Sequence, residues 1–318
     1  MFRIGLEGSG GYAAIARASE ELVMRTGLLG LGSAWAARQM VARFFVLGFG
    51  DEKQRDVLMP LLSSGTAGLA VAISEPGVGA HPKTLATRAV VDGDGVRISG
   101  EKAWVSNGPD AAFFLVFAVT GESAGRKKFS AFLVPRQTAG LELRAMDAFH
   151  GLRPAQHCGL VLRECLMPAS ARVGPEGGAF AAMAVPFRDV EDAVGAAGLV
   201  GAFRFAAARL GGGGSADAQA SLGAIVALTD VMAHGAQATV EALDGGALAR
   251  EAGTVIGLRL LAGEIARRIQ AHRQAWPAGN DEKLDMLLAD VEIVLNVAKG
   301  PRLIRQARLG AVPRASRR

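Results

Sequence analysis

The chain has 318 residues, half of them apolar and only 20% charged. That excludes a disordered polymer and a small disulfide-stapled scaffold, and leaves room for two or three hydrophobic cores. The net charge of +5 sits in a tail: residues 299–318 carry seven Lys and Arg and no acid, so the rest of the chain is two charges negative. With aromatic residues at 6%, too few for base stacking, a nucleic-acid partner is not expected.

Three regimes follow in chain order. Residues 12–62 read as helical, because Ile15, Ala18, Ser19, Leu22 and Val23 recur at spacings of three and four, and Ala34 to Leu47 repeats the pattern. Asp51 is the expected N-cap of a short helix through Leu58 that Pro60 ends. Residues 66–174 change to short apolar runs: 69–73, 86–91, 96–99, 113–119, 129–134 and 160–162 read as strands. Asp92-Gly93-Asp94-Gly95 marks a hairpin between two of them, and an all-β layer or small barrel is expected. Residues 176–310 return to helices, about four, broken at Gly211 to Gly214, at Gly245-Gly246 and at Pro277-Ala278-Gly279. This order gives an α+β protein with a helical N-terminal part (1–66), a central β-barrel domain (67–174) and a C-terminal helical bundle (175–318).

Several chemistries are excluded by pattern. Cys158 and Cys165 are too few for a disulfide framework and wrongly spaced for zinc, and the five histidines never make a helical two-ligand spacing, so no metal is expected. No Gly-x-Ser-x-Gly elbow occurs, Gly211 to Gly214 lacks the following Lys-Ser/Thr of a phosphate loop, and no Gly-x-Gly-x-x-Gly enters a helix. No apolar run reaches the length of a membrane span and no secretory leader is visible, so a cytoplasmic protein without membrane contact is expected.

Two strand ends carry the remaining chemistry. Ser74-Glu75-Pro76-Gly77-Val78-Gly79 follows an apolar strand and reads as a tight exposed loop whose amides can approach a ligand. Trp104-Val105-Ser106-Asn107-Gly108 closes another strand, and by the pleat Trp104 and Ser106 face the same side, an indole beside a hydroxyl. Such a pair suits a flat, hydrogen-bonding ring system.

Together these segments resemble the acyl-CoA dehydrogenase family. Ser74 to Gly79 is similar to its Thr/Ser-Glu-Pro-Gly-x-Gly signature. Asp92 to Gly95 leading into Ile98 to Gly108 is similar to a second stretch, and Ala131 to Val134, Gly151-Leu152-Arg153 and Leu166 to Gly174 continue it. The resemblance is dense over residues 10–180 and thins beyond 200. It implies a helical N-terminal domain, a central β-barrel and a C-terminal four-helix bundle forming the oligomer interface of a homodimer or homotetramer. FAD would lie between the β-domain and the bundle, with Ile73 and Ser74 at the flavin pyrimidine edge. Trp104, Val105 and Ser106 would line the ring, the Ser106 hydroxyl near N5. The implied reaction is α,β-dehydrogenation of an acyl-CoA thioester, with an electron-transfer flavoprotein or similar acceptor downstream.

The sequence also departs from the family. Where its usual C-terminal Glu base precedes Gly-Thr, this chain has Ala298 or Lys299, depending on alignment. A minority of the family carries the base on the first bundle helix, where Glu191 stands here and is the candidate base. Asp192 beside it replaces an Arg. Gly79, Ala80, Asp189 and Asp192 fall at substrate-side positions, and Ala80-His81 replaces a Ser-Asp. A Phe-Gly after Arg209 and a glycine-rich cofactor loop before Asp281 are missing, and the family's first helices would already have passed at Gly8 to Gly11. A catalytically degenerate homologue acting as a partner subunit, and a related flavin monooxygenase or oxidase, are the alternative readings.

Overall fold

The computed structural model describes residues 10–210 and 214–311. Helix α1 (Gly11–Thr26) buries Ile15, Ser19 and Val23 of the expected stripe together with Ala16, while Ala18 and Leu22 are half-buried. Its first amides are satisfied from a distant helix end: Tyr12 and Ala13 N–H donate to the Asp244 carboxylate at 2.8 and 2.9 Å. Helix α2 (Leu29–Val41) runs into a π-helical turn, Ala42–Leu47. Helix α3 (Glu52–Ser64) starts at Asp51, whose carboxylate accepts from Gln54 N–H while the Gln54 side chain returns to the Asp51 amide. The expected stop at Pro60 is corrected: the helix continues to Ser64 and ends at Gly65 in left-handed backbone (φ 75°). Leu58 and Leu62, four apart and both buried, hold the last turn across a proline that costs about 3 kcal/mol in a helix interior.

Eight strands follow: β1 (Leu69–Ala72), β2 (Arg88–Asp92), β3 (Gly95–Ser106), β4 (Phe113–Ser123), β5 (Arg126–Pro135), β6 (Leu141–Ala145), β7 (His157–Pro168) and β8 (Arg172–Val173). The hairpin at Asp92 to Gly95 forms as expected, with Asp92 paired to Gly95 and Gly93 at φ 57°. The order β6-β7-β3-β2-β4-β5-β8 makes one sheet with two ends rather than a closed barrel. One edge of β4 is divided, taken by β1 in parallel beside Phe113 to Val116 and by β2 only at Val119. Ala70, Ala72, Ile98, Val105, Phe114, Val116, Leu160 and Cys165 pack the core on one face.

Among the described residues, helices α4 (Val185–Arg209, after a π-helical turn Phe180–Ala184), α5 (Ala216–Asp244), α6 (Ala252–Ala275), α7 (Glu282–Asn296) and α8 (Lys299–Ala311) follow, one more than the four expected. The breaks at Gly245-Gly246 and Pro277 to Gly279 fall between helices as read, whereas residues 211–213 of the glycine run lie outside the described residues. Contacts divide the chain into two compact units. One comprises residues 34–150 and 155–191 and holds the sheet. There Phe45 of the π-turn packs on Phe44, Phe117 and Phe187, ring centroids 4.9, 6.2 and 4.6 Å away. The other comprises residues 10–33, 151–154 and 192 onward, around a core of Phe203, Ile225, Met232, Ile265, Ile269 and Leu287.

Candidate functional site

Within the sheet unit, the two motif segments meet at one rim. Beyond β1 the chain enters a tight loop in which Glu75 N–H donates to the Gly79 carbonyl (2.9 Å) and Gly79 N–H returns to the Glu75 carbonyl (3.1 Å). Gly77 and Gly79 have φ of 72° and 62°, which accounts for glycine there, and a Cβ at either would meet nothing within 4 Å. The loop is exposed at Pro76 to Gly79, with Ala80 half-buried.

The Glu75 side chain turns inward. One carboxylate oxygen accepts from Thr87 N–H (2.9 Å) and from Lys102 Nζ (2.9 Å), and the other from Ala86 N–H (2.7 Å). Lys102 is fully buried and also donates from Nζ to the Ile73 carbonyl at 3.0 Å. Burial lowers the Lys102 ammonium pKa to about 8 against the raising effect of Glu75. Burial pushes the Glu75 carboxyl up, but Lys102 and the donors around it outweigh this and hold it below the usual range. One bond further along, Ala103 N–H donates to the Ser74 carbonyl (2.9 Å), so Ile73 and Ser74 are tied by their carbonyls to Lys102 and Ala103, immediately before Trp104.

A bulge then re-aims β3. Lys102 pairs with Leu160 and Val105 with Cys158, so three steps on β3 match two on β7. Trp104 absorbs the extra residue at φ 58°, a left-handed conformation costly for a bulky side chain. As a result Lys102 and Val105 are both buried, and Trp104 and Ser106 are both exposed, as the pleat argument expects but by way of a bulge it did not contain. The indole is 52% exposed and meets Phe149 edge-on at 5.3 Å. Asn107, also left-handed (φ 57°), is buried and donates from its side chain to the Ala34 carbonyl (3.0 Å), anchoring the strand end.

The acidic positions on α4 separate. Glu191 is exposed and Asp189 half-buried. Asp192, read as a substrate-side residue, has its carboxylate engaged by arginines of other helices: Arg302 at 2.6 Å, Arg259 at 3.7 Å and Arg305 at 4.0 Å. The cation absent from position 192 is thus supplied by α6 and α8. Burial, reinforced by Arg302, lowers Arg259 to about 10. At the family's usual base position, Ala298 stands in left-handed backbone (φ 53°) between α7 and α8, with Lys299 exposed after it. Further up α7, Asp290 accepts from Leu152 N–H at 2.6 Å and fastens the Gly151-Leu152-Arg153 segment. Burial raises its pKa against the lowering effect of that bond.

Sequence reasoning passed over Lys102 and Glu75. A signal was present: Lys102 shares the two-residue phase of Val96 and Ile98, so it faces inward, and an inward lysine requires a partner.

Residues 70–165 match the family described as "Acyl-CoA dehydrogenase, middle domain". Among curated relatives, the chain is 36% identical over 135 residues to the mitochondrial short-chain specific acyl-CoA dehydrogenase of Sus scrofa, covering 42% of this chain and 33% of that one. It is 33% identical over 132 residues to the mitochondrial isobutyryl-CoA dehydrogenase of Dictyostelium discoideum, covering 42% and 32%. The matched part therefore spans about a third of the length of these relatives. In fold, the butyryl-CoA dehydrogenase of Megasphaera elsdenii superposes with a TM-score of 0.81 at 21% identity, over 92% of this chain and 79% of that one. The signature loop and the bulged strand both lie within the segment that matches the acyl-CoA dehydrogenase middle domain.

Proposed function

We propose that the protein is an FAD-dependent oxidoreductase that introduces an α,β double bond into an acyl-CoA thioester. The observation that carries this reading is the rim itself: an exposed indole on strained left-handed backbone, beside Ser106 and next to the tied-down Ile73-Ser74 segment. Buried groups fix this backbone while its ring and hydroxyls stay exposed or half-buried, an arrangement that fits a flat heteroaromatic group with a polar edge. FAD, when bound, supplies the two-electron acceptor for the β-hydrogen. The Trp104 indole would line the ring, Ser106 would offer its hydroxyl to the hydride-accepting nitrogen, and Ile73 and Ser74 would present backbone groups to the pyrimidine edge.

Glu191 is the residue we assign to α-proton removal, as an exposed carboxylate on α4 at the position where a minority of the family carries its base. Gly79, Ala80 and Asp189 would lie on the thioester side. A flavoprotein electron acceptor and a homodimer or homotetramer complete the proposed setting. The free, buried thiols of Cys158 and Cys165 agree with a reducing compartment such as the cytoplasm, and no helix among the described residues is long and apolar enough to cross a membrane.

Anaerobic addition of a short-chain acyl-CoA to the FAD-loaded protein should bleach its visible flavin band. Glu191→Gln should keep the colour and lose the bleaching. An unchanged spectrum on acyl-CoA addition, with oxygen-dependent turnover of a non-thioester substrate, would replace this reading with that of an oxidase or monooxygenase.

A further inference from the structure

Lys102 is an unusual group to find with no solvent contact. An unpaired ammonium in such a place costs several kcal/mol, and two of its three donors have defined targets. One goes to the Glu75 carboxylate and one to the Ile73 carbonyl oxygen. The second matters because the peptide unit is planar and trans, so its C=O and N–H point in opposite directions. With the Ile73 carbonyl drawn toward the buried ammonium, the N–H of the same peptide, which belongs to Ser74, is directed away from the interior. The next carbonyl, that of Ser74, is held by Ala103 N–H, and Glu75 N–H is held by Gly79, so this orientation is fixed from both sides.

We propose that Lys102 is a positioning residue for the flavin: its ammonium orients and polarises the Ile73–Ser74 peptide so that the Ser74 N–H is presented as a strengthened donor to the pyrimidine edge of the ring. The inference rests on the FAD reading above. A charged donor on a carbonyl increases the peptide dipole, and in a low-dielectric interior that polarisation passes to the N–H. The pyrimidine half of the flavin gains negative charge on reduction. A donor there therefore favours the reduced form over the oxidised form, and losing it lowers the midpoint potential. Glu75 favours the charged form of the ammonium, against the lowering effect of burial.

The test uses the FAD-loaded protein and compares Lys102→Arg, Glu75→Gln and the double variant Lys102→Met with Glu75→Gln. The double variant removes both charges together, so no lone charge remains to unfold the sheet. Midpoint potential is measured by dye equilibration, and thermal melting of the FAD-free protein reports the fold separately. The expected result is a double variant that melts close to wild type with its potential lowered by about 30 mV, a tenfold loss in preference for the reduced flavin. Lys102→Arg should restore at least half of the shift, and Glu75→Gln alone should lower the potential by no more than the double variant does, because it weakens the charged form of Lys102 without removing the side chain. Loss of FAD from a folded double variant, with retention in Lys102→Arg, also supports the proposal. A folded, yellow double variant with an unmoved potential overturns it and leaves the FAD reading intact. A wild-type protein that binds no FAD overturns both, and the first spectrum reveals it.

Discussion

Lys102 and Glu75 form an ion pair 2.9 Å long in which the lysine side chain has no exposed surface and the carboxylate almost none. It joins the loop after β1 to the strand that carries Trp104, two segments about thirty residues apart in sequence. Breaking such a pair on one side leaves a buried, uncompensated charge. Lys102→Met should therefore destabilise the protein by about 3–5 kcal/mol, with a substantial part recovered in the double variant with Glu75→Gln. Urea denaturation of wild type and the two variants checks this, and equal stability of single and double variants would refute it.

The same pair sets an acid limb in stability. The Glu75 carboxyl is held below its ordinary value of 4.5 in the folded protein, so the unfolded chain binds its proton first as pH falls. The contribution is complete above that value and is lost as pH drops through the depressed folded pKa. Stability measured from pH 7 down to 3 should fall below about 4.5, and Glu75→Gln should flatten that limb.

Asp290 has the opposite sign. Burial raises its folded pKa above 3.8, so its effect on stability is most favourable below that value and worsens as pH rises through the folded pKa. Asp290→Asn keeps an acceptor for the Leu152 N–H without the desolvated charge. It should melt at or above the wild-type temperature at pH 7, whereas Asp290→Leu should free the 151–154 segment to limited proteolysis.

Helix α8 has no buried residue, Leu303 and Ile304 face solvent, and Arg302 and Arg305 tie it to Asp192. Asp192→Ala should cost about 2 kcal/mol, less than a fully buried pair because the arginines keep some solvent. Hydrogen exchange should speed up across 299–311 and stay unchanged in α5. Uniform loss of protection throughout the bundle would contradict a local anchor.

Local punctuation made much of the architecture readable. Asp51 with Gln54, the glycines of the β2–β3 hairpin and the Gly245-Gly246 break each require a particular backbone, so their residue types reveal it. Long-range balances were harder to read. Pro60 reads as a stop until Leu62 is known to be buried, and β8, two residues long, has no period to detect. β6 is absent from the strands expected from sequence, although Leu141, Leu143 and Ala145 alternate with Glu142 and Arg144. At the site, the indole and hydroxyl were legible from strand phase, but the bulge that exposes them was not. The arginines meeting Asp192 come from residues 259, 302 and 305, far along the chain, so position 192 looked like a lost cation when its charge had been balanced from elsewhere.

Equilibrium binding of FAD to the purified chain, followed through the flavin's visible absorbance and fluorescence, tests the central claim most directly. Wild-type protein should bind one FAD per chain. Trp104→Ala and Ser106→Ala should each weaken binding by at least tenfold, about 1.4 kcal/mol, without lowering the melting temperature of the FAD-free protein. Saturable binding that neither substitution affects, or no binding at all, would contradict the assignment of this rim to the flavin.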